Sequence, residues 1–554
     1  MNTILRGATV IDGTGGPARR IDVAIRDGRI AEVGADLEAD AADVEIVDLD
    51  GLVLAPGFID VHTHLDAQVL WDPDLVPSTW HGVTTVVIGN CGFGIAPARP
   101  DHHGSIIRML ENVEGMSVEA LTEGIRWSFE TFPDYMDAVD ELEKRCNIAA
   151  LIGHSPVRLY VMGRDSTERA ATVDEVREMK AIVAAAMAEG ALGFSSSAAP
   201  VHVGDGGRPV PSRLATAAEV NEICDALRAA GHGVVQVTHG PDFDRAELAA
   251  LSKQIGLPVV YTAVLTGHHG NETALDVLHD IDERGGDVSA IVSCRPVVFQ
   301  FTLDDPFPFA NTLPSFMEIL ELPHRERMDR YRDEEWRARA RGEAAVHPEW
   351  QARWPRTTID ETTMHLDFKN GPSMAELAQE RGADPFDVLL DFALAENLET
   401  RFRVVLFNDD EAEVAQLLLD DRSLISLSDA GAHASQLCDA NYGTYLLQHW
   451  VRELGALTLT DAVHQLTARP AAVFGIAERG LIKPGYWADL VAFDPAVVGT
   501  ESNERVRDLP ADADRLIARS RGIQWTWVNG AATRAAGHDV EGARPGVLIR
   551  SGPA

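Results

Sequence analysis

The sequence of 554 residues predicts an α/β fold, a TIM (β/α)8 barrel with a small β-sandwich domain built from both termini. Three observations predict it. The chain is longer than one core usually holds, apolar runs alternate with helical patterns through the middle, and both ends contain short alternating strands. A doubly wound open sheet is the competing architecture, and it is disfavoured because no G-x-G-x-x-G motif follows a strand.

Short strands and turns occupy both ends of the chain. ATVIDG and DVAIRDGRIAEVG near the start are strand-like, as is GIQWTWVNGAA near the end, where an Asn-Gly pair at 529–530 predicts a hairpin turn. Two separate terminal domains would each have little core, so one shared domain is the more economical interpretation. We therefore predict a β-sandwich from residues 1–54 and 485–554, with the barrel at 55–484.

Eight apolar runs in the middle of the chain are predicted as parallel barrel strands. The runs are LAPGFIDV, TTVVIGN, IAALIGH, ALGFSSS, GVVQVTH, PVVYTAV, VSAIVSC and SLISLSD. Continuous apolar runs are typical of strands that helices cover on both faces. DEVREMKAIVAAAMAEG and AAEVNEICDALRAAG are amphipathic and end in glycine, which predicts helices between these strands.

A charged insertion at about residues 296–360 interrupts this alternation. Within it, HRERMDRYRDEEWRARARGEA has Met328, Tyr331 and Trp336 as its few apolar anchors. We interpret it as a solvated surface helix. The alternative is a lid over the C-terminal face of the barrel, because long inserted loops of barrel enzymes lie at that face.

Charge and composition exclude several classes of function. Acidic residues outnumber basic residues by 86 to 48, the formal net charge is -38, and aromatic residues make up 6% of the chain. Such a surface repels phosphate backbones and anionic lipids, so we expect neither nucleic-acid nor membrane partners. The chain has no apolar span and no signal-peptide core, which predicts a cytoplasmic location. Five scattered cysteines do not indicate a disulfide framework, and a homo-oligomer is left open.

Residue types that bind metals follow three of the predicted strands. His62 and His64 lie two residues apart after the first strand, so both imidazoles point to one side and can hold one divalent metal. Cys91 follows the second strand and is placed like a thiolate ligand, with a buried hydrophobe as the alternative. Asp429 follows the last strand, where it could bind metal and take a proton from water, or cap the next helix.

Further candidates follow the third, fifth and sixth strands. His239 ends the fifth strand and is the natural next ligand, with a core or rim histidine as the alternative. His154 and Arg158 follow the third strand and could orient a substrate carbonyl and carboxylate, although an ordinary salt bridge accounts equally well for Arg158. His268 and His269 lie several residues beyond the sixth strand, so either or neither could be a ligand.

Four segments of the chain show a family resemblance, namely PGFIDVHTH, GNCGFG, GHSPVR and SDAGAH. They resemble the metal-dependent amidohydrolase superfamily, and more narrowly its N-acyl-D-amino-acid deacylase (D-aminoacylase) group. ATVIDGTG, GLIKPGYWADLVAFDP and WTWVNG match as well, so the resemblance covers nearly the whole chain except the charged insertion. It implies a TIM barrel with a split β-sandwich, and zinc at His62, His64 and Asp429, with Cys91 replacing the carboxylated lysine of other branches. No lysine ends a predicted strand, which excludes a lysine-bridged pair of metals.

The sixth strand, PVVYTAVL, lacks the histidine that the family places at its end, so one or two zinc ions per chain are expected. We predict a zinc-dependent hydrolase of amide C–N bonds, and the resemblance implies that its substrates are N-acyl-D-amino acids, small molecules carrying a carboxylate. Metal-activated water attacks, with Asp429 as general base and acid. One alternative is hydrolysis of a cyclic amide, imide or lactone at the same site. The other alternative is a non-catalytic scaffold, and the presence of His62, His64 and Asp429 together argues against it.

Overall fold

The structure is a computed structural model that describes residues 2–38, 44–241, 243–267, 272–306, 309, 313–320 and 322–552. Its contacts divide the chain into two compact units. We call the first the barrel unit, made of Met1–Arg295, Asp410–Ala434 and Cys438–Ala554. We call the second the inserted unit, made of Pro296–Asp409 and Ser435–Leu437.

Eight parallel strands, labelled β1 to β8 in chain order, form the main sheet of the barrel unit. They are Phe58–Asp60, Val83–Ile88, Asn147–Gly153, Gly193–Ser197, Val234–Thr238, Val259–Val264, Val288–Val292 and Ser423–Ile425. Each strand pairs with the next one in sequence. A parallel bridge between Thr63 and Ala430 joins the segments after β1 and β8 and closes the ring. The predicted TIM barrel is confirmed.

The strands are buried on both faces, which explains their continuous apolar sequences. Every residue of β2 and β3 is buried. Alternate residues separate into two hydrophobic clusters, as side chains on opposite faces of a barrel sheet do. One cluster includes Val87, Leu151, Val260, Ile291 and Leu424. The other includes Val86, Ile88, Ile152, Val259 and Val292, together with residues of the surrounding helices.

Helices connect the strands and cover the sheet. They include His103–Glu114, Val118–Gly124, Phe132–Glu141, His154–Met162, Val173–Ala188, Ala217–Ala230, Arg245–Ile255, Ala274–Arg284, Glu411–Leu419, Leu459–Leu466 and Ala468–Phe474. The side chains of Thr172, Thr216, Asp244, Thr273 and Asp410 cap five of them by accepting backbone hydrogen bonds. Across the described part of the chain, no helix is long and apolar enough to cross a membrane.

Strands from both chain ends form the predicted β-sandwich. One sheet has the order Arg29–Gly34, Asp22–Arg26, Asn2–Arg6, Glu45–Asp48. The other has the order His538–Asp539, Ala531–Ala535, Ile523–Val528, Leu490–Phe493, Val53–Pro56, Thr9–Val10, Arg19–Arg20. Leu5, Ile25, Leu54, Leu490 and Trp527, from strands of both sheets, belong to one hydrophobic cluster. The split sandwich is confirmed, while the boundaries at residues 54 and 484 stay a prediction.

The inserted unit has its own sheet and core. Arg401–Phe407 lies between Val297–Phe301 and Thr357–Glu361 in an antiparallel sheet. The helices are Pro314–Met317, His324–Arg332, Glu334–Val346, Pro348–Arg353, Met374–Arg381 and Pro385–Ala395.

The charged segment supplies part of that core. Met328, Tyr331 and Trp336 are 8%, 0% and 3% exposed, and they belong to the hydrophobic cluster of this unit. The expectation of one helix was therefore wrong, because the segment forms two; most of its charged residues are exposed as expected, and its three apolar anchors are buried. The unit also extends to Asp409, well beyond residue 360. A lid role stays a prediction.

Candidate metal centre

The two histidines of the H-x-H motif lie just beyond β1 in a fully buried segment. The side chains of His62 and His64 are 1% and 3% exposed, and their ring centroids are 5.6 Å apart. Ser428 Oγ donates to the carbonyl oxygen of His62 at 3.1 Å, and His64 N donates to Ala430 O at 2.8 Å. The segment after β8 therefore fixes the backbone that carries both imidazoles.

Cys91, directly after β2, brings a thiol to the same point. Its Sγ lies 3.4 Å from His62 Nε2, and potential ligand atoms of His62, His64 and Cys91 all lie within 4.8 Å of one another. The residue has a left-handed backbone (φ 55°), and its N–H donates to Gln236 Oε1 at 2.6 Å. Burial raises the pKa of this thiol well above its usual value. A bound cation would reverse that effect by stabilising the thiolate.

Asp429 completes the cluster from the end of β8. Its Oδ1 lies 3.2 Å from His62 Nε2 and 3.8 Å from His64 Nε2. Burial acts to raise the pKa of this carboxyl, but the hydrogen bond and charge of His62, with the charge of His64, lower the pKa to about 2. The next helix begins only at Tyr442, so Asp429 does not act as its cap. Two imidazoles, a thiol and a carboxylate are ligand types that zinc accepts, and the donor set fits this metal.

Two further acids near the cluster were missed by sequence reasoning. Glu114, at the end of its helix, has Oε1 at 3.5 Å from His64 Nδ1 and is 4% exposed, and Asp66 is 6% exposed. Burial raises the pKa of Asp66 to about 7, and burial together with the charge of Asp429 raises that of Glu114 well above its usual value. A bound cation would offset this concentration of carboxyl groups. Asp66 follows His64 by two residues and could have been noticed, whereas no motif marks Glu114.

His239 lies outside the group of three residues whose ligand atoms converge in the described part of the chain. Its ring stacks on Tyr261 with centroids 4.5 Å apart, and Nδ1 lies 3.3 Å from the carbonyl oxygen of Thr262. These contacts agree with the alternative of a rim histidine, and a ligand role stays a prediction. His268 and His269 lie outside the described residues.

His154 and Arg158 form a buried cluster with Glu219. All three side chains are 2% exposed or less. Glu219 Oε1 lies 3.1 Å from His154 Nε2 and forms a close ion pair with Arg158 Nη1. His154 Nδ1 lies 2.9 Å from Ser196 Oγ of β4. The salt-bridge alternative therefore describes Arg158 in this structure, and a substrate-binding role for the pair stays a prediction.

Fold and site together define a class, the TIM-barrel hydrolases that hold metal at the C-terminal ends of their strands. Two histidines follow β1, a cysteine follows β2 and an aspartate follows β8, and these are residue types that can bind a metal at this end of a barrel. The chain belongs to the amidohydrolase family, whose sequence pattern matches residues 45–279 and 328–533.

Three proteins whose names state an activity are similar to this chain over nearly its whole length. D-aminoacylase from Alcaligenes xylosoxydans xylosoxydans is 32% identical over 95% of this chain and 93% of its own length. N-acyl-D-aspartate deacylase from the same organism is 30% identical over 100% of this chain and 95% of its own length. A solved structure of N-acyl-D-glutamate deacylase from Bordetella bronchiseptica, complexed with zinc and a phosphonate mimic of the tetrahedral intermediate, matches with TM-score 0.66 and 28% identity, covering 99% of both chains. The resemblance to the D-aminoacylase group is confirmed.

Proposed function

We propose that this protein hydrolyses the amide bond of N-acyl-D-amino acids at a zinc centre held by His62, His64, Cys91 and Asp429. The convergence of Cys91 Sγ and Asp429 Oδ1 on His62 Nε2, at 3.4 and 3.2 Å, is the observation that carries the proposal. The names of the relatives support the substrate class, and the zinc complex of N-acyl-D-glutamate deacylase supports the metal. This donor set accounts for one zinc ion. His239 is the proposed ligand of a second ion, if one binds.

Asp429 is the residue placed to move the proton. Its side chain is 31% exposed, whereas those of His62 and His64 are buried, so the carboxylate lies on the open side of the cluster. The two histidines keep it ionised, with a pKa of about 2, so it can accept a proton from the attacking water and pass it to the leaving nitrogen. Bound zinc would polarise the amide carbonyl and make water more acidic.

The proposed partners and cellular location of the protein are inferred mainly from the composition of the chain. The substrate is proposed as a small molecule with a carboxylate, in agreement with the names of the relatives. The net charge of -38 supports the absence of nucleic-acid and membrane partners. Cytoplasmic location stays a prediction, and the oligomeric state is left open.

The test measures release of free amino acid by the zinc-loaded protein. We expect hydrolysis of N-acetyl-D-methionine, N-acetyl-D-aspartate or N-acetyl-D-glutamate, little turnover of the L enantiomers, and loss of activity on chelation that added zinc restores. Turnover of a cyclic amide such as hydantoin, with none of these acids, would favour the cyclic-substrate alternative. No turnover, with less than one zinc per chain that added metal does not raise, would favour the scaffold.

A further inference from the structure

The loop at residues 198–214, which follows β4, is tied back to the barrel at its base. Val203 and Pro209 form an antiparallel bridge, so the loop is a narrow hairpin. At the base, the hydroxyl of Ser197, the last residue of β4, lies 2.6 Å from His202 Nδ1. The base of the hairpin therefore lies at the end of the barrel where the candidate metal ligands also lie.

A pair of buried hydroxyl groups fixes the returning limb of this loop. Ser155 Oγ donates to Ser212 Oγ at 3.0 Å, and Ser212 N donates to Ser155 Oγ at 3.3 Å. These two serines are 0% and 2% exposed. The next residue, Arg213, thus extends from a backbone that is already held in place, as a binding residue requires.

Arg213 is partly buried and carries a charge that no acid among the described residues neutralises. Its Nη1 donates to the carbonyl oxygen of His202 at 3.1 Å, and among the described residues it forms no ion pair. Burial lowers the pKa of its guanidinium. Arg208, exposed on the same loop, instead pairs with Asp205 at 3.3 Å. An unpaired, partly desolvated cation is costly, and of the five N–H donors of this guanidinium the described part of the chain accepts one.

His202 is a neighbour of both the guanidinium and the candidate metal centre. Its ring centroid is 5.2 Å from that of Phe93, which follows Cys91 by two residues. Burial and the charge of Arg213 lower the pKa of His202 to about 3, and the charges of Asp429 and His62 also act on its ring. Through its contact with His202, the hairpin therefore holds Arg213 at the end of the barrel where the candidate metal ligands lie.

We propose that Arg213 binds the carboxylate of the substrate. The inference rests on the proposed function, in which every substrate carries a carboxylate on the carbon next to the amide nitrogen. The planar fork of arginine binds a carboxylate through two parallel hydrogen bonds, and such charge-assisted pairs are strong where water is partly excluded. The carboxylate-binding role that the sequence suggested for Arg158 is thus assigned to Arg213, which forms no ion pair with an acid among the described residues.

The experiment compares a substrate with and without its carboxylate. N-acetyl-D-methionine and its primary amide share the scissile bond, and Arg213→Met is assayed on both, with Arg213→Lys as the conservative variant. We expect Arg213→Met to raise KM for the acid by at least about tenfold, with kcat changed by less than about threefold and kcat/KM for the amide unchanged. Arg213→Lys should be intermediate. Arg208→Met, on the same loop, is the matched control and should behave like the wild type.

Two kinetic results would overturn the assignment. Equal losses on the acid and the amide would show that Arg213 only holds the loop, and unchanged KM for the acid would remove it from recognition. If the wild type cleaves neither compound, nor N-acetyl-D-aspartate or N-acetyl-D-glutamate, the proposed function fails instead. In that case, calorimetric titration of the zinc-loaded protein with N-acetyl-D-methionine tests the carboxylate site independently of turnover. Binding weakened at least about tenfold in Arg213→Met supports the carboxylate site, and equal or absent binding refutes it.

Discussion

Replacing Glu219 by glutamine tests whether the buried cluster with His154 and Arg158 is structural or belongs to substrate binding. The change keeps the size of the side chain and removes its charge. Arg158 is 0% exposed and Glu219 is 2% exposed, so the arginine would become an uncompensated buried charge. Breaking such a pair typically costs about 3–5 kcal/mol. We expect Glu219→Gln to lose about that much free energy of unfolding at pH 7, while the folded fraction keeps its zinc and its kcat.

Denaturant unfolding of the variant, followed by circular dichroism, measures the loss as a shift of the transition midpoint. The double variant Glu219→Gln, Arg158→Met removes both charges and should recover most of the lost stability, because replacing a buried pair by uncharged side chains is often close to neutral. A stability change below about 1 kcal/mol with a large rise in KM would refute the structural role. That result would return His154 and Arg158 to the substrate site.

Three further changes probe the metal centre and the inserted unit. Asp429→Asn should keep much of its metal, since the amide oxygen can still bind, and lose at least about a hundredfold in kcat. Cys91→Ala should lower bound zinc, measured by mass spectrometry, and activity while the fold stays intact. Burial acts to raise the pKa of the Glu396 carboxyl. Hydrogen bonds from Thr400 and the Met364 N–H outweigh burial and lower this pKa to about 2. It therefore stabilises the fold above about pH 4.5, and about 3 kcal/mol should be lost as pH falls towards 2, a dependence that Glu396→Gln removes.

Each of these changes has its own control. Near-normal kcat in Asp429→Asn would move the general base elsewhere, with His433 the first candidate. Cys146→Ala removes an equally buried thiol outside the centre and should leave zinc unchanged. Equal zinc in Cys91→Ala would return Cys91 to the buried-hydrophobe interpretation. A Glu396→Gln variant whose acid unfolding matches that of the wild type would show that this carboxylate contributes no pH-dependent stability.

The features of the fold that depend on hydrophobic periodicity and strand order could be predicted from the sequence. Parallel strands buried on both faces must be continuously apolar, so the eight runs could be read directly, and residues that follow the runs meet at one end of a barrel. His62, His64, Cys91 and Asp429 were found in this way. Their convergence needed no knowledge of the loops.

Pairings across long loops could not be predicted in the same way. Glu219 stands 61 residues after Arg158, in the first turn of an amphipathic helix, and nothing local distinguishes it from an acid that only favours the helix N-terminus. Arg213 depends on the path of a hairpin that has no periodic pattern. The division of the charged segment into two helices was not predicted, and the apolar partners of its anchors lie as far along the chain as Phe402.

The position of Cys91 ties the candidate centre to the interior of the barrel rather than to surface loops. Gln236, in the middle of β5, accepts the Cys91 N–H at 2.6 Å and donates to Thr262 Oγ1 of β6 at 2.7 Å. These contacts hold a residue after β2 against two strands that are not its neighbours in the sheet, and its thiol lies 3.4 Å from His62 Nε2. A left-handed residue costs about 1–2 kcal/mol, and it persists only where its surroundings fix it. The hydrogen bond from the Cys91 N–H to Gln236 is such a constraint, and it fixes the position from which the thiol of Cys91 extends.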